Sequence, residues 1–188
     1  MRLKRSFDLL FCLLAILILM SPIMLTWVLV RITSEGPVLF WSDRIGKNNK
    51  IFRMPKFRTM HIGAPTVATH LLSNPNAHLT PIGSFLRRSS LDELPQLWSI
   101  LKGDMSFVGP RPALYNQNDL IVLRMEVGVD RLLPGLTGWA QVNGRDDLSI
   151  QQKVSLDAEY MRRQSFHFDI FILWITFLKL LKFDGVSH

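Results

Sequence analysis

The stretch LLFCLLAILILMSPIMLTWVLV, residues 9–30, decides the fold, because it carries no charge over 22 consecutive positions. A helix of that length is about 33 Å long, about enough to cross the hydrocarbon core of a bilayer. The run is too long for a signal peptide. Arg31-Ile-Thr-Ser-Glu-Gly-Pro37 behind it offers no small-x-small cleavage site. An uncleaved anchor is expected. Cys12 lies inside the run, which suits a small packing residue. The flanking charges give no direction of insertion. Arg2, Lys4 and Arg5 precede the run; Arg31 and then Arg44, Lys47, Lys50, Arg53, Lys56 and Arg58 follow it. A spanning helix normally has one basic flank. Ser21-Pro22 sits just past the middle, where proline removes a helical hydrogen bond and kinks the chain. Two topologies stay open: a kinked transmembrane helix, or a helix-break-helix that dips into one leaflet and returns.

Outward from the anchor the chain reads as an ordinary charged domain. Of its 188 residues 48% are hydrophobic, which excludes disorder, and the single cysteine excludes a disulfide scaffold. The net charge of +7 points to nucleic acid, an anionic membrane surface or a phosphorylated substrate. Strands are predicted at 38–41 and 51–54 around the turn Gly46-Lys-Asn-Asn-Lys50. Residues 61–79 read as loop with at most one short helix. Thr80-Pro81 opens a helix to about Arg88, with Thr80 as its cap. Ser90-Leu-Asp-Glu93 fits a capping box for a second helix ending at Gly103. Residues 104–115 are strand-like, 117–132 helical, and 134–145 a glycine-rich loop. A polar helix from about Ser149 to Gln164 leads into an apolar helix at about 168–183. Lys179 and Lys182 interrupt that last helix, which suits either a membrane interface or a protein core.

Several chemistries are absent. There is no Walker loop, no GxGxxG, no HExxH and no GxSxG elbow. The histidines at 61, 70, 78, 167 and 188 lack metal-ligand spacing, so no zinc site is expected. What remains is the adjacent pair Asp92 and Glu93, close to Arg87 and Arg88. As a bare dipeptide it is explained by the helix dipole. Among cations on a membrane-bound chain, one carboxylate can attack phosphorus while its neighbour holds a divalent cation. Pro110-Arg111-Pro112 is either a rigid surface turn or an arginine fixed to grip phosphate through two N–H bonds. Tyr115, Trp139, Asn143 and Arg145 offer stacking and hydrogen bonds to a base, or simple core packing.

Taken together these pieces resemble the bacterial sugar transferase family of small monotopic phosphoglycosyl transferases. The matching segments are Lys4-Arg5-x-x-Asp8 with Ser21-Pro22, Gly36-Pro-Val-Leu-Phe40, Lys56-Phe-Arg-Thr-Met60 and Thr80-Pro-Ile-Gly83. They continue through Leu86–Gln96, Gly103–Pro112 and Pro134–Gly138 and cover nearly the whole chain. The resemblance implies transfer of a sugar 1-phosphate from a UDP-sugar to polyprenol phosphate, with release of UMP, as a first membrane step of glycoconjugate assembly. It implies Asp92 as nucleophile, forming a phosphosugar-enzyme intermediate, and Glu93 as the ligand that positions Mg2+. Arg88, Arg111, Lys56, Arg58 and Arg145 become phosphate- or substrate-binding candidates. Asp157 is a weaker candidate or the structural partner of an arginine, and Asp169 is a further weak one. The resemblance also implies the re-entrant hairpin at Ser21-Pro22, a bacterial inner-membrane location and a catalytic domain on the cytoplasmic face.

The expected fold is α+β and predominantly helical. Residues 1–35 form a membrane-embedded re-entrant hairpin. Residues 36–188 form a small cytoplasmic catalytic domain with short strands and interfacial amphipathic helices. The expected partners are UDP-sugar, polyprenol phosphate and membrane lipids, not nucleic acid, because no recognition helix or aromatic platform is evident. A minimal form without a further domain is expected. The sugar and the oligomeric state stay open, a homodimer being one allowed form. The rival from another class is a basic membrane adaptor, which needs no ordered Asp92, Glu93 and Arg111.

Overall fold

The computed structural model describes residues 2–65, 75–144 and 147–182. Its first element is helix α1, Arg2–Thr33, with Pro22 inside it. The expected break is therefore not an interruption of the helix. Proline forfeits one hydrogen bond, and the turns on either side keep theirs. At 1.5 Å per residue α1 is about 48 Å long.

Three charged residues bind the start of α1 to the rest of the chain. Lys4 donates to the Val108 carbonyl (3.0 Å) and the Tyr160 hydroxyl (3.1 Å), and pairs with Asp169. Arg5 donates to the carbonyls of Ile100 (2.6 Å) and Leu101 (2.7 Å), in the last turn of a short helix. Asp8 is buried and accepts from the Ser106 hydroxyl and the Phe107 N–H, both at 3.1 Å. Further along, Cys12 is buried against Leu97, whose carbonyl lies 3.3 Å from its Sγ. Near the far end, Val30 joins Val38, Phe57 and Leu86 in a buried cluster. So α1 touches the same globular body near both ends and in its middle. Its other face is open and apolar along Leu3, Leu10, Leu17, Met24 and Leu25.

After α1 come strands β1 (Leu39–Ile45) and β2 (Ile51–Phe57), an antiparallel hairpin with Leu39 opposite Phe57 and Ile45 opposite Ile51. The predicted strands are right in place but longer in fact. Asn48 and Asn49 turn the hairpin in left-handed conformations that asparagine tolerates. A short 3-10 turn, Pro75–His78, falls in the predicted loop. Helix α2 is Gly83–Arg88. Its start differs from expectation: Ile82 is the cap residue and Thr80 makes no cap bond, its hydroxyl being buried without a partner. A 3-10 turn, Leu91–Gln96, runs into α3, Leu97–Lys102. Gly103 ends α3 in the left-handed conformation (φ 92) in which glycine is favoured.

Strand β3 (Ser106–Val108) pairs in parallel with β4 (Gly135–Thr137) across helix α4 (Asn118–Glu126). The backbones meet closely at Gly109, Gly135 and Gly138, where a Cβ on either of the latter two would strike the Gly109 backbone. The glycine-rich loop is thus a short strand followed by helix α5, Trp139–Val142. Helix α6 is Ile150–Arg163, and here the predicted start is right, with a full capping box between Ser149 and Gln152. Helix α7 is Phe166–Lys182. One side of it is core, with Phe168 and Ile172 buried, while Phe171, Trp174, Phe177 and Leu180 are exposed. The main core joins Cys12, Met54, Leu97, Ile100, Met105, Phe107, Tyr160, Phe168 and Ile172, so α1 and α7 contribute to one interior. Each such side chain contributes roughly 1.5–3 kcal/mol by leaving water.

Candidate active site

The chain reverses between α2 and α3 at Ser90, which adopts the left-handed conformation (φ 57). The expected capping box does not form, because Ser90 in this conformation makes no side-chain cap bond. A tight 3-10 turn follows instead and carries Asp92, Glu93 and Pro95. Pro95 lies inside this turn, two residues before α3 begins. Asp92 points inward and is 6% exposed.

Cations from separate elements converge on this turn. From β2, Lys56 Nζ lies 2.9 Å from Glu93 Oε1 and 3.7 Å from Asp92 Oδ2. From the loop after β3, Arg111 Nη2 lies 3.1 Å from the same Glu93 Oε1. From α2, Arg87 donates to the Thr59 hydroxyl (3.1 Å) and stabilises the Asp92 charge. Burial raises the Asp92 pKa. Lys56 opposes this, Glu93 adds to it, and Arg87 and Arg111 oppose it. The site is a buried carboxylate that pays for desolvation and is kept usable by cations that do not close on it at hydrogen-bond distance.

The cations are themselves held. Arg44 from β1 donates to the Ser42 hydroxyl (3.0 Å) and the Pro112 carbonyl (3.1 Å). Burial, then the like charge of Arg111, push its pKa down to about 10, against the pull of Glu93. Arg124 from α4 donates to the Arg111 carbonyl (2.8 Å) and places two nitrogens on Asp157 Oδ2, at 3.0 and 2.6 Å. The Pro110–Pro112 segment is thus gripped at two successive carbonyls, which aims the Arg111 side chain.

Of the sequence-predicted residues, Asp92, Glu93, Lys56 and Arg111 come together. Arg88 is exposed, and it is Arg87 that faces Asp92. Arg58 lies apart, donating to the Pro37 carbonyl at 2.8 Å. Arg145 lies outside the described residues, as does His70. Asp157 is the partner of Arg124, and Asp169 belongs to the Lys4–Tyr160 cluster. Trp139 packs on Phe168 and Phe171 under the Arg163 guanidinium, and Asn143 bonds the Trp139 carbonyl. These two are packing and capping groups, whereas Tyr115 is half exposed. Sequence reasoning missed Arg44 and Arg124. Arg44 stood in the basic 44–58 stretch, but nothing local distinguished it from its neighbours.

No cluster of three or more His, Cys, Asp or Glu residues exists among the described residues, so no closed metal cage is built there. The donor set of Asp92 and Glu93 fits magnesium, which binds through one or two carboxylates and completes its shell with water and substrate phosphate.

The chain matches the family model described as bacterial sugar transferase over residues 1–183. It is 41% identical to an undecaprenyl-phosphate glucose phosphotransferase of Komagataeibacter xylinus, a match covering 92% of this chain and 35% of the relative. An undecaprenyl-phosphate galactose phosphotransferase of Salmonella typhimurium is 37% identical over 97% of this chain and 41% of its own length. A UDP-glucose:undecaprenyl-phosphate glucose-1-phosphate transferase of Escherichia coli is 39% identical over 94% of this chain and 40% of its own. The chain spans between a third and about two fifths of the length of these relatives.

Proposed function

The chain belongs to the bacterial sugar transferase family, and from that premise we propose that it is a phosphoglycosyl transferase. It moves a sugar 1-phosphate from a UDP-sugar to polyprenol phosphate, giving polyprenol-diphosphate-sugar and UMP. The observation that carries this reading is the buried Asp92, set beside Glu93 and approached by Lys56, Arg87 and Arg111. A basic membrane adaptor has no use for a buried acid in that setting.

The chemistry follows in two displacements. An ionised oxygen of Asp92 attacks the phosphorus that bears the sugar, and the bond from that phosphorus to UMP breaks. UMP leaves with the electron pair, and an acyl phosphate remains on Asp92. An ionised oxygen of polyprenol phosphate then attacks the same phosphorus, the acyl bond breaks, and the carboxylate returns. No general base is required, because both attacking oxygens are anionic. Lys56 and Arg111, which face Glu93 in the free protein, are placed to bind the donor phosphates. Glu93, beside Asp92, would hold magnesium, which when bound would neutralise charge on the diphosphate. A covalent intermediate lets a soluble donor and a lipid acceptor use one site in turn.

The topology belongs to the same proposal. Lys4 and Val30, near opposite ends of α1, both rest on one globular body, which supports a monotopic, re-entrant seat with Pro22 as its bend. The catalytic domain then lies on the cytoplasmic face of the inner membrane. Single cysteines at positions 2 and 34 should label from the same side, and labelling from opposite sides would contradict the re-entrant seat. The activity is tested by UMP release from a panel of UDP-sugars with undecaprenyl phosphate, in the presence of magnesium and of excess EDTA. Release from none of them would reject the transferase reading, and undiminished release in EDTA would reject the metal.

A further inference from the structure

A groove of about 570 Å3 opens at the C-terminal end of α1, lined by Trp27, Arg31, Gly36, Pro37, Val38 and Leu39. We propose that it seats the phosphate-proximal isoprene units of the lipid acceptor, with Arg31 facing the phosphate. This rests on the transferase reading and names where its second substrate lies.

The walls are apolar and the cations stand at the rim. Arg31 is exposed in the last turn of α1, and Arg58 reaches the same edge by donating to the Pro37 carbonyl (2.8 Å). An apolar trough with guanidinium groups at its edge matches a phosphate monoester on a hydrocarbon chain. Trp27 is half exposed, as expected of an indole at headgroup depth. The groove continues the exposed apolar face of α1 at Met24, Leu25 and Val28, so a chain can enter from the bilayer without crossing water. Gly36 keeps the wall low, and a Cβ there would strike Ile62, which lies over it.

The trough also leads to the chemistry. Leu39, in its wall, pairs across the hairpin with Phe57, and the preceding pair is Phe40 with Lys56. Lys56 is the cation shared by Glu93 and Asp92. The wall also meets the turn of the nucleophile directly, because Val38 and Leu39 belong to one apolar cluster with Leu91 and Leu94, which stand on either side of Asp92 and Glu93. The groove's volume suits one chain, within the usual range for ligand pockets of roughly 300–1,000 Å3.

The test uses the full chain in nanodiscs and two acceptors, undecaprenyl phosphate and water-soluble geranyl phosphate. Trp27→Ala should raise the KM for undecaprenyl phosphate about tenfold, the effect of losing about 1.4 kcal/mol of chain contact. Its effect on the geranyl phosphate KM should be clearly smaller. Arg31→Gln should raise both acceptor KM values without a matching rise in the donor KM. Unchanged acceptor KM values in both variants, together with weaker vesicle binding, would make the groove a phospholipid seat and overturn the assignment. A readout without turnover separates this proposal from the reading beneath it. A photoreactive prenyl phosphate should label the segment 27–39, and undecaprenyl phosphate should compete where phosphatidylglycerol does not. Labelling elsewhere overturns the groove even if UMP release is normal. Wild-type protein that releases no UMP but is labelled at 27–39 would fail the transferase reading and keep the lipid site.

Discussion

Two of the buried charge clusters among the described residues differ in how completely their groups are satisfied. At the start of α1, Lys4 has three oxygen partners and Asp8 two donors, and Asp169 takes both Lys4 and the Tyr160 hydroxyl. That cluster is closed upon itself and fixes α1 to β3, α6 and α7. At Asp92 the nearest cation among the described residues stops at 3.7 Å, while Lys56 and Arg111 both rest on the neighbouring Glu93. This second cluster can open toward a phosphate without losing the fold. A buried charge held by internal partners is architecture, and a buried charge with cations standing off is chemistry in waiting.

Substituting Asp92 separates the two clusters most sharply. Asp92→Asn should lower turnover by a factor on the order of 10^4 or more, as expected for loss of a nucleophile. The same variant should be as stable as wild type or more so. Burial raises the Asp92 pKa above its ordinary 3.8, so the fold favours the neutral acid. That contribution to stability is full below pH 3.8 and is lost as pH rises through the raised value. At neutral pH the ionised group is a net cost, and the amide removes it. Thermal unfolding at pH 7 checks this. A large drop in Tm would mean that Asp92 is structural.

The closed cluster should behave in the opposite way. Asp169→Ala leaves Lys4 and Tyr160 without their carboxylate and should cost about 3 kcal/mol in stability, measured by denaturant unfolding in detergent. Activity per folded molecule should change little. A smaller effect comes from the supports of Arg111. Asp157→Asn weakens the hold on Arg124, which bonds the Arg111 carbonyl. The donor KM should rise about tenfold, about one hydrogen bond to a charged group. Arg111→Lys should not rescue binding, since a lysine offers a point charge in place of a fork. Smallest is the pH effect. UMP release should decline on the acid side at a pH above the ordinary carboxylate value of 3.8, because the attacking oxygen must be ionised and burial holds its proton.

Much of this was legible in the sequence, and the failures have physical causes. The uncharged run gave α1, and two short apolar segments around the polar turn Gly46–Lys50 gave the hairpin, because composition and charge are local signals. The start of α6 at Ser149 was read correctly, and a capping box forms there; Ser90–Glu93, which was read as a capping box, is not one. The left-handed Ser90 is imposed by the packing of the 3-10 turn on β2, which no local pattern encodes. Asp92, Glu93, Lys56 and Arg111 were identified from motifs. Arg44 and Arg124 were not, because their roles consist of reaching backbone carbonyls distant in sequence. Arg87 and Arg88 were not told apart by the sequence, and in the fold Arg87 acts on the Asp92 charge while Arg88, about 100° further round the helix, is exposed.

The central claim is that Asp92 carries the sugar phosphate between donor and acceptor. Intact-protein mass spectrometry after mixing with UDP-sugar, without lipid acceptor, tests it most directly. The expected result is a mass increase of one phosphosugar on wild type, matched by up to about one UMP per active site, discharged by undecaprenyl phosphate and absent from Asp92→Asn. No mass increase under conditions that support turnover with lipid, together with normal turnover by Asp92→Asn, would contradict it and leave direct transfer between the two substrates.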